Sequence, residues 1–413
     1  MAEARGIRDI AAAEDLRVLC LVPSIPLGGM ERASIRLMEA LARRGAETAF
    51  ITEARWGGAV RARIEAGGGR QISAPFVTDF SRPKSGTQLA WSLRSHACSA
   101  RDLRRAITAF QPRALLATSL GSAYFARREA SRADRLSVFR LPNAPEPSRL
   151  PLKGAADRAI WRAVGAAYDR LVCNSDHTAR RLATLLDDDR KIVVIRNIAP
   201  DPAPPLTPAD ADAPRRLVYV GRITEAKGVG LLLEAAIPLL REHADVALEL
   251  AGPEEWRDGF GAAIRAEAAQ SGLGSRIRFL GEIDDVQERL RGAAAHLCPS
   301  ISQGDSAPNA ILDAKRAGAP TIATPIAGLP ELVRHERDGL VAAAPTAEAL
   351  RAEMARLLSD EALRARLAAA AAASIAAHEE ETIAARWIAL MRGAPAHREA
   401  AQAFAPEAAH AGG

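Results

Sequence analysis

At 413 residues the chain exceeds what one ordinary hydrophobic core organises, so two domains are expected. Charged residues at 25% and hydrophobic residues at 48% fit a globular chain in water, and aromatics at only 4% argue against a base-stacking nucleic-acid surface. The formal charge of +5 favours anions such as nucleotide phosphates, lipid head groups or anionic glycans, although arginine is spread along the whole chain and an Arg-rich proteome accounts for most of the excess. Cys20, Cys98, Cys173 and Cys298 are far apart and show no metal-ligand spacing; Cys20, Cys173 and Cys298 lie in apolar runs that suit buried, reduced thiols. Met1 to Arg17 carries charges throughout and has no signal-peptide h-region. The alanine-rich run Leu367 to Ala377 is too short to span a bilayer. A cytoplasmic protein is expected, with room for peripheral contact at the inner membrane.

Arg17 to Val22 reads as a buried parallel strand. A loop leads to a helical pattern over Glu31 to Arg43, stopped by Gly45, and a strand follows at Thr48 to Ile51. This βαβ start predicts a parallel, doubly wound sheet. Gly28 and Gly29 sit at the strand-to-helix turn, where amides can approach an anion, although a tight turn alone explains them as well. Gly57 to Gly69 reads as loop and Gln88 to Phe110 as one helix or a pair. Ala114 to Thr118 is a strand, with Ser119 and Gly121 opening the next helix. Leu136 to Phe139 is another, followed by a proline-rich loop and a helix over Asp157 to Tyr168. After the strand Arg170 to Cys173, Asn174, Ser175 and Asp176 cap a helix to Leu186, and Lys191 to Arg196 is the last strand of this half. The proline-rich stretch 200–214 is a linker.

The second half restarts with a strand at Arg216 to Val220. Further strands are expected at Val246 to Ala251, Arg276 to Leu280, Ala295 to Cys298, Thr321 to Ala323 and Leu340 to Ala343, alternating with helices. The expected organisation is a first domain over 14–199, the linker 200–214, a second domain over 215–379, a helix near 380–392 packing back onto the first domain, and a disordered tail over 393–413.

Three motifs carry chemistry. In GRITEAKG, Gly221 ends a strand and Arg222 and Lys227 flank a turn that opens a helix, a phosphate-binding arrangement that is neither a Walker loop nor a G-x-G-x-x-G turn. In CPSISQGDSAPNAILDAKRAG, Asp305 and Asp313 have seven residues between them, at the start of a short helix that Pro308 and Asn309 open. Carboxylates placed there suit hydrogen bonds to sugar and ribose hydroxyls; a capping acid and a surface acid is the plain alternative. In AGLPE, a rigid turn presents Glu331 near the same face.

These segments, in this order, together with LGGMERASIRLMEALARRG, LVCNSDHTARRL and KIVVIRNIAPD, resemble the retaining family-4 glycosyltransferases (glycosyl transferases group 1) over roughly Leu16 to Trp387. The resemblance implies an α/β chain of GT-B fold, two doubly wound Rossmann-like domains facing across a cleft. It implies transfer of a sugar from a UDP-, GDP- or similar nucleotide-diphosphate sugar to a glycan or lipid-linked acceptor, with retention, in cell-surface polysaccharide synthesis. No cofactor or metal is expected, and no nucleic-acid partner. The implied catalytic residues are Arg222, Lys227 and Asp305, with Gly28, Gly29, Gly221, Asn309, Asp313 and Glu331 on the donor. The chain departs from the family in having Asp where both acids are usually Glu, and Ser119 and Leu120 where many members have a His. Gln303 is an alternative register for the first acid. A nucleotide-sugar epimerase of related architecture and an inactive donor-binding subunit are the competing readings.

Overall fold

The computed structural model describes residues 15–22, 28–52, 62, 64–73, 100–148, 150–202, 215–254 and 259–393. The expectations for Cys98, residues 1–14 and 88–99, most of the 200–214 linker and the tail beyond 393 fall outside these residues.

The first sheet has seven parallel strands: β1 (Arg17–Leu21), β2 (Glu47–Thr52), β3 (Gly69–Ser73), β4 (Ala114–Ala117), β5 (Leu136–Leu141), β6 (Arg170–Cys173) and β7 (Ile192–Val194), in the order β3-β2-β1-β4-β5-β6-β7. The helices are α1 (Gly29–Ala42), α2 (100–110), α3 (Leu120–Ala130), α4 (Pro151–Ala167) and α5 (Asp176–Leu186). The order reverses between β1 and β4, the place where open parallel sheets bind ligands beyond their carboxyl ends. All four residues of β4 are buried, as expected for a strand covered on both faces.

The second sheet has six parallel strands: β8 (Arg215–Val220), β9 (Val246–Ala251), β10 (Ile277–Gly281), β11 (Ala295–Cys298), β12 (Thr321–Ala323) and β13 (Gly339–Val341), in the order β10-β9-β8-β11-β12-β13. Its helices are α6 (Val229–Glu242), α7 (Phe260–Gln270), α8 (Val286–Leu290), α9 (Asn309–Ala317), α10 (Leu329–Leu332), α11 (Ala347–Ser359) and α12 (Glu361–Ser374). The six strands stand where the apolar runs predict them, with ends shifted by one or two residues.

One strand differs from expectation. Gly57 to Gly69 reads as loop, yet Gly69 opens β3 at the sheet edge. A Cβ at Gly69 would lie 2.8 Å from Phe50 Cε2, so glycine lets this strand close against β2. A short edge strand that begins with glycine carries little of the β-branched, alternating signal on which recognition depends.

The last helix, α13 (Glu380–Met391), follows the second domain in sequence but belongs to the first domain's core. Its Ile383, Ala384, Trp387 and Ile388 pack with Val18, Ile35, Met38 and Leu41. Burying that stripe joins the two halves by apolar area; removing the Trp387 side chain alone would cost about 3–5 kcal/mol. Arg43 and Arg44 at the end of α1 both pair with Glu380. Among the described residues no helix is long and apolar enough to cross a membrane.

Candidate active site

The carboxyl end of β8 runs through Gly221 and Arg222 into a single 3₁₀ turn, Glu225–Lys227, whose first amides are satisfied by Thr224: its Oγ1 accepts from Lys227 N at 3.3 Å. Gly228 follows with φ +70°, and a Cβ there would lie 1.9 Å from the carbonyl oxygen of Pro299. Only glycine allows that approach. It brings the Lys227 turn against the loop after β11, where Ile301 N and Ser300 Oγ both donate to Ala226 O. The consequence is an ion pair: Lys227 Nζ donates to Asp305 Oδ2 at 2.8 Å, with Asp305 only 8% exposed. The pair closes a small cavity of about 30 Å³ lined by Tyr219, Gly221, Lys227, Cys298, Asp305 and Pro308. Burial pushes the Cys298 thiol up to about 12, so it stays protonated and inert. Gln303, the other register for the first acid, is exposed, and its carbonyl lies 3.1 Å from His177 Nε2. Lys227 therefore meets Asp305.

Arg222 stands exposed at the mouth, its backbone fixed by Tyr219 Oη donating to Arg222 O at 2.6 Å. Across the cleft, Glu31 Oε2 accepts from Gly28 N at 2.9 Å and holds the turn at the start of α1. Glu31 is buried, which raises its pKa, and the charges of Arg222 and Arg140 oppose that rise. Gly28 and Gly29 thus face the second domain directly. Asn309, the first residue of α9, donates from Nδ2 to Gly29 O at 2.7 Å, and a Cβ on Gly29 would sit 3.6 Å from that nitrogen.

Asn309 also ends a chain of buried hydrogen bonds. Asn197 Nδ2 donates to Asn309 Oδ1 at 2.9 Å, and Arg140 Nη2 donates to Asn197 Oδ1 at 2.7 Å. Arg140 Nη1 reaches Ser34 Oγ on α1 at 3.2 Å. Burial lowers the Arg140 pKa to about 10, leaving it charged near neutrality. Asp313 lies one turn further along α9, half-buried, facing Arg32 and Arg36 of α1. Burial raises its carboxyl to about 6, against the pull of those two guanidiniums.

The loop between Asp305 and α9 is bolted to the first domain: Ser306 Oγ accepts from Ala144 N at 2.8 Å, and Gly304 O accepts from the same amide at 3.2 Å. Glu331, expected on the donor, takes a different place. Its Oε2 accepts from Asp176 N at 2.8 Å and from Arg196 Nη1 at 2.7 Å, and its Oε1 accepts from His177 N at 2.6 Å. It caps α5 of the opposite domain, where the helix amides and an arginine stabilise a carboxylate. Its spacing after β12 places it on a loop facing the cleft, but the first domain's α5 claims its oxygens. Ser119, at the carboxyl end of β4, is likewise a helix cap, accepting from Ser122 N at 3.1 Å.

Sequence reasoning brings together Lys227, Asp305, Gly28, Gly29, Gly221 and Asn309, and misses Glu31, Arg140, Asn197 and Ser306. Glu31 left a signal in Gly28-x-x-Glu31, an acid three residues into a helix. Arg140 left only an arginine inside a strand run. Chemically, the site offers an ion-paired lysine and an exposed arginine at strand ends, suited to phosphate oxygens, and carboxylate and amide oxygens suited to hydroxyls. Among the described residues no group of three or more His, Cys, Asp and Glu is placed to hold a metal ion.

The chain has known relatives in sequence and in fold. Residues 214–360 match the family "Glycosyl transferases group 1" and residues 27–199 match "Glycosyltransferase Family 4". The chain is 29% identical to the lipopolysaccharide core biosynthesis glycosyltransferase LpsE of Rhizobium meliloti over 83% of this chain and 88% of that protein. Its fold is similar to that of Anabaena HepE, crystallised with UDP and glucose, at a TM-score of 0.72 and 17% identity, covering 92% of this chain and 99% of the other. It is also similar to a glycosyltransferase from Rickettsia africae, at a TM-score of 0.73 and 18% identity, covering 92% and 98%. With the fold, the cleft and both halves of the sequence in agreement, the chain belongs to the family-4 (group 1) glycosyltransferases and has the GT-B fold.

Proposed function

We propose that this glycosyltransferase moves a sugar from a nucleotide-diphosphate donor to a glycan or lipid-linked acceptor, with retention at the anomeric carbon, in the synthesis of a lipopolysaccharide or related cell-surface polysaccharide. The observation that carries the reading is the Lys227–Asp305 pair at the carboxyl ends of β8 and β11, opposite the Gly28–Gly29 turn. A diphosphate entering the cleft takes Lys227 and Arg222 as its counter-ions and releases Asp305 to accept from a hydroxyl of the transferred sugar. Asp313, on α9 beside the cleft, serves the ribose, and the amides of Gly28 and Gly29 close over the phosphates.

The bond from the anomeric carbon to the diphosphate oxygen breaks with its electron pair going to the phosphate. The acceptor oxygen bonds on the same face, and its proton passes to the departing phosphate oxygen. Charge grows on that phosphate in the transition state, where preorganised cations matter most. Two cationic side chains supply this balance, so transfer proceeds without an added divalent ion. The kinship with LpsE supports the lipopolysaccharide setting. A cytoplasmic location, with the acceptor presented at the inner membrane face, follows from the same reading.

The test is nucleotide release from a panel of UDP- and GDP-sugars, with chelator present and with the anomeric configuration of the product read by NMR. Lys227→Ala should lower kcat/KM by about 10² or more. Turnover within a few-fold of wild type would refute the phosphate assignment, and an inverted product would refute retention.

A further inference from the structure

We infer that His177 is a positioning residue for transfer: it ties the turn that carries Asp305 to the first domain, so that Asp305 is held in place only while the two domains are together. The inference rests on the reading of Asp305 as the group at the donor sugar, and its mechanical half can be tested without a donor.

Residues 302–305 form one tight turn, closed by Asp305 N donating to Ser302 O at 3.2 Å, with Gly304 N donating to Ser302 Oγ at 3.2 Å. Both middle carbonyls of this turn accept from the first domain. Gln303 O lies 3.1 Å from His177 Nε2, and Gly304 O accepts from Ala144 N at 3.2 Å. A carbonyl oxygen only accepts, so Nε2 carries the hydrogen. Burial lowers the pKa of His177 and the bond to Gln303 O opposes that fall, so the ring is neutral near pH 7 and still donates.

The backbone of His177 is fixed from the second domain. Glu331 Oε1 accepts from His177 N at 2.6 Å, and Glu331 Oε2 accepts from Asp176 N at 2.8 Å. The first turn of α5 therefore grips two loops of the opposite domain at once, one by its amides and one by a side chain. The two loops also touch each other there: a Cβ on Gly328 would lie 2.0 Å from Ser306 O and 3.2 Å from Ser175 Cβ. Separating the domains removes both outside donors from the Asp305 turn and leaves it closed by its own weak bonds. Asp305, at the end of that turn, is then free to leave Lys227. A misplacement of about 1 Å at a reacting group costs on the order of 10² in rate. The separated form thus binds a diphosphate through Lys227 and Arg222 without being set for transfer, and the joined form completes the site.

Hydrogen exchange of the full chain, read by mass spectrometry, tests the mechanical half. His177→Leu keeps the amide that Glu331 accepts from and removes the ring N–H. Exchange over residues 302–306 should quicken about ten-fold while α5 stays protected. His177→Gln, whose side-chain amide reaches the same carbonyl, should restore the wild-type rate. Unchanged exchange in His177→Leu overturns the inference, whichever donor the enzyme takes. In nucleotide release, His177→Leu should lower kcat about ten-fold with donor KM within about two-fold, and His177→Gln should recover kcat to within about three-fold. A loss in His177→Gln as deep as in His177→Leu overturns positioning in favour of proton transfer by the ring, and a raised KM at unchanged kcat overturns it in favour of donor binding. Absence of turnover by the wild type with every donor refutes the proposed function instead, and the exchange result then decides whether His177 holds the turn. Should His177→Leu fail to fold, His177→Asn, whose shorter amide does not reach Gln303 O, takes its place under the same criteria.

Discussion

The two walls of the cleft are built on different principles. On the second domain the wall is ionic and close-set: Lys227 meets Asp305 because Gly228 lets one loop touch the backbone of the next. On the first domain it starts from a buried arginine and runs through side-chain amides to the other wall, Arg140 to Asn197 to Asn309 to the carbonyl of Gly29. An ion pair can exchange its partner for a ligand at modest cost, because each ion remains matched. A buried amide chain cannot be opened in the middle without leaving polar groups unpaired. The first wall is therefore suited to chemistry and the second to holding shape, and each can be broken separately.

The largest effect should come from Gly228→Ala. Its positive φ and the 1.9 Å approach to Pro299 O leave no room for a methyl group, so the loop must move. Transfer should fall below detection and stability by about 2–3 kcal/mol. The contrasting Gly29→Ala, where the nearest atom is 3.6 Å away, should fold normally. Equal stability losses in denaturant titrations of the two variants would sink the argument from close approach. Next, Arg140→Met leaves Asn197 and Ser34 without their buried partner and should cost about 3 kcal/mol, with a raised donor KM and a smaller change in kcat. A kcat loss at unchanged KM would place Arg140 in the chemistry instead of the frame. Asn309→Ala cuts the bond that crosses the cleft, and a drop of about ten-fold in kcat/KM is expected, with stability changed by about 1 kcal/mol.

The last effect concerns pH. Asp313 holds its proton to about 6 in the fold, above its ordinary value of 3.8. The native state therefore binds more protons than the unfolded chain between those values. Asp313 makes stability fall as pH rises from about 4 to about 6, by on the order of 2–3 kcal/mol, with little further change above that. His378 pulls the other way: burial lowers it to about 4, so its contribution is intact above pH 6.5 and is lost as pH falls towards 4. Unfolding free energies of Asp313→Asn against wild type at pH 4 and pH 7 should differ by that amount. A pH-independent difference would show that the carboxyl is not desolvated by the neighbouring domain.

The sheets were legible because parallel strands buried on both faces are unbroken apolar runs, as in Val246–Ala251. β3 was not, since an edge strand begun by glycine lacks that signature. In the site, Lys227 and Asp305 were legible as a cation at a strand end and an acid before a helix. Asp305 is preferred over Gln303 from sequence because it keeps the seven-residue spacing to Asp313, and the fold sets Asp305, not Gln303, against Lys227. Glu331 shows a limit across domains: its sequence places it on a cleft-facing loop, while the amides of Asp176 and His177 that claim it lie more than 150 residues earlier. Arg140 was hidden because a buried arginine is legible only from the partners that make its burial affordable, here Ser34 and Asn197.

The Lys227–Asp305 bond also acts as a tethered rival to every ligand that approaches the lysine. A carboxylate fixed 2.8 Å away by its own loop competes at a far higher local concentration than any free anion in solution. A monoanion such as chloride, or a sugar bearing one weak charge, gains too little at Lys227 to displace it. Under the proposed function, a diphosphate engaging Lys227 and Arg222 together, while its sugar gave the released Asp305 a hydroxyl, would repair both halves of what it breaks. The Lys227–Asp305 pair thus sets a threshold for binding at Lys227, according to how many of the contacts it breaks an incoming molecule can replace.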